Sequence, residues 1–145
     1  MPASIRNDCK RAPAAEVLPH TTASLRCDLG LTADADTVWY HRYDTGTSMA
    51  DYLTSLKQEQ RLPLGSCSAD VSRAQGTWTV GDTYSGGLDC YQADGGSWIV
   101  WTYGADRILA RAVREGTTVN DWHTSDGHGL FDWWKLIRLF VESGG

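Results

Sequence analysis

The stretch Asp94-Gly95-Gly96-Ser97-Trp98-Ile99-Val100-Trp101-Thr102-Tyr103 decides how the chain folds. Asp-Gly-Gly is a hairpin-type turn, favoured where the backbone must take positive φ. The seven residues after it are aromatic, β-branched or small, which suits a pleated strand. Trp98, Val100 and Thr102 face one side, and Ile99, Trp101 and Tyr103 the other. One face therefore belongs to the core, and the other is covered by a helix or exposed. Working outward, Leu88 to Gln92 reads as the partner strand, and Thr77 to Val80 as a short strand between Gly76 and Gly81. Downstream, Gly104-Ala105-Asp106 turns the chain. Arg107 to Val113 then alternates, with Ile108, Ala110 and Ala112 on one face, although its Ala and Arg content also suits a helix. Such a meander forms an antiparallel sheet of four to five strands.

Farther from this centre, Thr37 to Tyr43 (TVWYHRY) is another strand. Val38, Tyr40 and Arg42 alternate there with Trp39, His41 and Tyr43. Met49, Tyr52, Leu53 and Leu56 recur at helical spacing, which predicts a helix over 48–61. Ser48 serves as its cap, and Pro63 and Gly65 lie beyond its end. Residues 1–26 hold three prolines and many small residues and read as an irregular arm. A second helix is expected over 130–141, with Trp133, Trp134, Leu136, Ile137, Phe140 and Val141 covering most of its circumference. The expectation is one α+β domain over 27–145: an antiparallel sheet, two helices and a tethered arm.

The 145 residues suffice for a single hydrophobic core. A net charge of −5 argues against a generic nucleic-acid binder, which needs a basic surface. Apolar runs are only a few residues long, against the roughly 20 needed to span a bilayer. Cys9, Cys27, Cys67 and Cys90 are widely spaced, without the close pairs of a zinc site or a thioredoxin motif. Two disulfides in an oxidising compartment account for them. Three pairings are possible, and Cys9–Cys27 with Cys67–Cys90 is favoured because each pair brackets one local segment. No signal peptide is present, so an extracytoplasmic location implies that the chain is part of a longer precursor.

Several of these features occur together in a known order. Gly76-x-Trp78 is followed by Gly87-Leu88-Asp89-Cys90-Tyr91 and by Trp98-Ile99-Val100-Trp101-Thr102-Tyr103. Ile108-Leu109-Ala110-x-Ala112 and a terminal Trp133-Trp134 come next. Upstream stand Cys9 and Cys27, a Val38-x-Tyr40 strand and a helix start at Met49-Ala50-Asp51-Tyr52. This order resembles the small extracytoplasmic domain at the C-terminal end of some actinobacterial membrane Ser/Thr protein kinases and related lipoproteins. The resemblance runs over about residues 9–134. It implies a non-enzymatic sensor or protein-interaction module, secreted or at the cell surface, with a protein or cell-envelope ligand. No catalytic residue carries over.

The candidate sites are few. Asp121, His123, Asp126 and His128 combine imidazole with carboxylate, but their spacing fits neither HExxH nor an EF-hand loop, and a solvated loop is the simpler reading. GxSxG and phosphate-binding loops are absent. No metal or cofactor is therefore expected. Seven tryptophans supply large faces that could anchor a partner. Strand alternation assigns most of them to the core, leaving Trp122, Trp133 and Trp134, together with Phe140 of the expected C-terminal helix, as partner-binding candidates. A second reading makes the domain a structural subunit or appendage that docks through its apolar C-terminal helix.

Overall fold

A computed structural model describes residues 9–29, 35–67, 73–80, 84–116 and 129–137. Seven strands form one sheet: β1 (Cys9–Arg11), β2 (Thr21–Asp28), β3 (Thr37–Tyr43), β4 (Arg73–Val80), β5 (Tyr84–Ala93), β6 (Gly96–Tyr103) and β7 (Ile108–Glu115). Two helices accompany them, α1 (Gly46–Gln60) and α2 (Leu130–Ile137). The strand order is β1-β2-β3-β7-β6-β5-β4, and every neighbouring pair is antiparallel. The class is α+β, as expected, but the sheet has seven strands rather than four to five.

The extra strands come from the segment read as an irregular arm. Pro13 and Pro19 do not break it up. Pro13 caps a short 3-10 turn at Ala14–Glu16, and Pro19 precedes the bend at His20. The residues on either side are free to pair, and the expected boundary at 26/27 falls inside β2. Cys9 lies opposite Cys27 in the β1–β2 register, and the two form a disulfide.

The β5–β6 hairpin closes as its sequence requires. Asp94 and Gly95 take φ of 54° and 79° between the last paired residues, Ala93 and Gly96. The ambiguous stretch after Gly104 is strand β7, held on both sides by β6 and β3. Helix α1 begins two residues before the expected start. Thr45, not Ser48, is its cap, and the Thr45 hydroxyl accepts the Ser48 N–H at 3.1 Å. It ends where Arg61 turns left-handed, with φ 54°.

The two faces of the sheet are covered by different helices, so both sides of β6 are buried. On one face Ile99, Trp101 and Tyr103 join Val38, Tyr40, Ala110 and Ala112 beneath α2. On the other, Tyr43, Tyr91, Val100 and Leu109 meet Met49, Leu53 and Leu56 of α1. The chain passes from the α1 face to the α2 face around the edge of β4. Residues 62–66 make the crossing, and Cys67 is then locked to Cys90 in the core below α2. During the crossing the strap pairs in parallel with β4. The Gln75 N–H donates to the Pro63 carbonyl at 2.8 Å, and the Gly65 N–H donates to the Gln75 carbonyl at 3.0 Å.

Candidate functional site

Trp133 and Trp134, two of the side chains expected to anchor a partner, pack α2 against the sheet. Trp133 and Trp134 are 6% and 3% exposed. Trp134 sits edge-on to Trp78 with centroids 5.6 Å apart, and Trp133 is edge-on to Trp101 at 6.4 Å. On its sheet-facing side the apolar helix thus packs against the sheet's own tryptophans. Trp122 and Phe140 lie outside the described residues, as do Asp121, His123, Asp126 and His128. Among the described residues no group of three His, Cys, Asp or Glu side chains is placed to hold a metal ion.

A polar and aromatic array fills the α1 face beyond the helix. Arg111 lies over the Trp39 ring at 4.6 Å and Arg26 at 5.6 Å, a double cation–π contact. Glu16 accepts the Trp39 indole N–H at 2.7 Å and two bonds from the Arg26 guanidinium at 2.8 and 3.0 Å. The Trp39 bond and the Arg26 guanidinium hold its carboxyl below the usual range. Next to this cluster, His41 is fully buried. Its Nδ1 lies 2.8 Å from the Ser24 hydroxyl, and its Nε2 accepts the Arg111 Nε–H at 3.2 Å.

That last bond fixes the chemistry of the ring. Nε2 is an acceptor, so in the neutral ring Nδ1 carries the hydrogen and points it at Ser24. A base for a serine nucleophile needs the opposite arrangement, with a bare nitrogen facing the hydroxyl. Burial and the neighbouring Arg111 charge also push the His41 pKa down to about 3. The pair is a structural hydrogen bond rather than an activated serine.

The open surface lies at the β4 edge. Gln75 directs its backbone N–H and C=O away from β5, into the strap. The two-residue repeat of a strand sends those of Thr77 and Thr79 the same way. The strap has turned off toward Cys67 by then, and no described residue pairs with either threonine on that side. A groove of about 440 Å³ runs there between strap and strand, lined by Leu64, Ser66, Gln75, Thr77 and Leu88. It adjoins a second of about 320 Å³, lined by Trp78, Thr79, Leu88, Phe131, Trp134 and Lys135. Leu64, 87% exposed, stands at its rim. Trp134 thus reaches the groove as part of its floor.

The opposite edge of the sheet is different. There β1 is three residues long and exposes Lys10 and Arg11, both features that discourage edge pairing. From Gln75 to Val80, β4 carries no charge at all. Nothing in the sequence reading pointed to this edge, because the strap that leaves it half-covered is made by residues between two elements. The absence of charge in Gln-Gly-Thr-Trp-Thr-Val was the available signal.

No family model, curated protein or solved structure matches the chain.

Proposed function

We propose that this domain is a non-enzymatic extracytoplasmic module that senses or binds a protein or cell-envelope ligand. The observation that carries the reading is the uncharged, half-open edge of β4 beside the Leu88–Phe131–Trp134 groove. An edge of this kind offers backbone hydrogen bonds to an added strand, and the groove beside it offers pockets for side chains. Two disulfides fit an oxidising compartment, and no described helix is long and apolar enough to cross a membrane. The neutral, wrongly oriented His41 supports a binding role over a hydrolytic one. The alternative, a structural subunit docking through the C-terminal helix, draws no support from Leu130–Ile137. The described side chains of that helix are buried apart from Lys135.

A photo-crosslinking amino acid at Thr77, in protein exported by its host, tests the proposal. The expected result is a discrete adduct from Thr77 and none from the exposed Thr54 on α1. Equal labelling from both positions, or none from Thr77, would overturn it.

A further inference from the structure

The partner that best fits the β4 edge is a second copy of the same edge. We infer that two copies of this chain pair antiparallel through β4, about a twofold axis at Trp78, and join their sheets into one. The inference rests on reading the β4 edge as the binding surface, and it names the occupant.

The register follows from which backbone groups are open. Only outward-facing residues exchange hydrogen bonds across a new antiparallel pair, and in β4 these are Arg73, Gln75, Thr77 and Thr79, with Arg73 cut off from the two threonine positions by the strap on Gln75. Gln75 is taken by the strap on both its N–H and its C=O. Centring the axis on Thr77 would set Thr79 against an occupied Gln75. Centring it on Thr79 would carry the pairing past Val80, the last residue of the strand. Centring it on Trp78 sets Thr77 against Thr79 of the second copy, and Thr79 against its Thr77. Both sets of N–H and C=O are then used, giving four new backbone bonds. Among the described residues it is the register that gives both open threonines an open partner.

The side chains agree with that register. Thr77-Trp78-Thr79 reads the same in both directions, as an isologous contact requires. The two exposed threonines of each copy meet threonines of the other, a cross-strand pairing that suits hydroxyls. No charge lies between Gln75 and Val80 to oppose self-association. The strap also limits the contact: by occupying Gln75 it confines pairing to a few residues. The result is a small, reversible interface rather than an open-ended template.

The experiment measures mass in solution by light scattering over a concentration series reaching the high micromolar range. Wild-type protein is expected to move from one to two chain masses as concentration rises. The paired substitution Thr77→Lys with Thr79→Lys sets like charges opposite each other on both sides of the axis and should leave a monomer throughout. Its circular dichroism and melting curve should be unchanged, since both side chains are exposed and neither outward group bonds β5. Mixing it with Thr77→Glu/Thr79→Glu protein should restore the double mass. A monomeric wild type overturns the inference, as does a dimer indifferent to the Lys pair. In the crosslinking experiment above, a Thr77 adduct of twice the chain mass supports the twofold pairing. An adduct of any other mass rejects it while leaving the binding module intact.

Discussion

Asp89 and His41 are both buried ionisable side chains, and their costs run in opposite directions with pH. Asp89 is 0% exposed on β5, and neither carboxylate oxygen has a well-formed hydrogen bond. Burial pushes its pKa up to about 6, although Lys57 and the Gly76 N–H draw it back. The folded protein therefore favours the protonated acid. Its contribution is fully present below about pH 4 and is lost as pH rises through 6. His41 is favoured neutral when folded. Its contribution is present above the ordinary histidine pKa and is lost as pH falls toward 3. Between about pH 4 and 6 the folded state holds one extra proton on Asp89 and lacks one on His41, so the two slopes largely cancel. Asp89→Asn should raise stability at pH 8 by on the order of 1–3 kcal/mol, because it removes an uncompensated buried charge. It should also expose a loss of stability below pH 6.5 that the wild type masks. Urea melts of both proteins at pH 5 and pH 8 check this, and an unchanged difference between the two pH values would refute the cancellation.

At the scale of elements, the contact between β4, β5 and β6 depends on one missing side chain. The Trp78 indole N–H donates to the Thr102 carbonyl at 3.0 Å, and the Gly87 N–H turns instead to the Thr102 hydroxyl at 2.8 Å. Trp78 takes the place of a ladder bond, and this works because Gly86 lies opposite it on β5. A Cβ at Gly86 would overlap the Thr102 carbonyl oxygen. Gly86→Ala should therefore destabilise the domain by about 3 kcal/mol or more, as strand displacement and lost core packing together imply. Gly46→Ala, in open space on α1, should have little effect by comparison. Thermal melts of the two variants give the comparison.

Strands with strong alternation, β6 above all, were legible because each face has a periodic apolar set. β1 and β2 were not, since their pairing depends on a partner strand and on a disulfide rather than on local pattern. The open edge of β4 was legible only as an absence of charge. The burial of Trp133 and Trp134 depended on knowing that Trp78 and Trp101 lie on the same face beneath them.

For the molecule as a whole, the two disulfides hold unequal things. Loop closure alone would give each about 3 kcal/mol, with separations of 18 and 23 residues. Cys9–Cys27 joins two strands that are already neighbours, and the strand it secures is short and peripheral. Cys67–Cys90 anchors the strap, and with it the path from α1 to the opposite face. Replacing Cys67 and Cys90 with Ala should lower the melting temperature more than replacing Cys9 and Cys27. Scanning calorimetry of the two double variants tests the order.

The central pairing of β3 with β7 has a bearing on how the chain reaches this state. Thr37 meets Val113 and Arg42 meets Ile108, across the whole of α1 and the β4–β6 meander. All other strand pairs are hairpin neighbours in sequence. Two local sheets can thus form early, and joining them is the slow, long-range step. Cys67–Cys90 ties the end of α1 to the second sheet and shortens the free chain that must close. A bond made there first eases the joining of the two sheets, though modestly, because closure entropy grows only slowly with loop length.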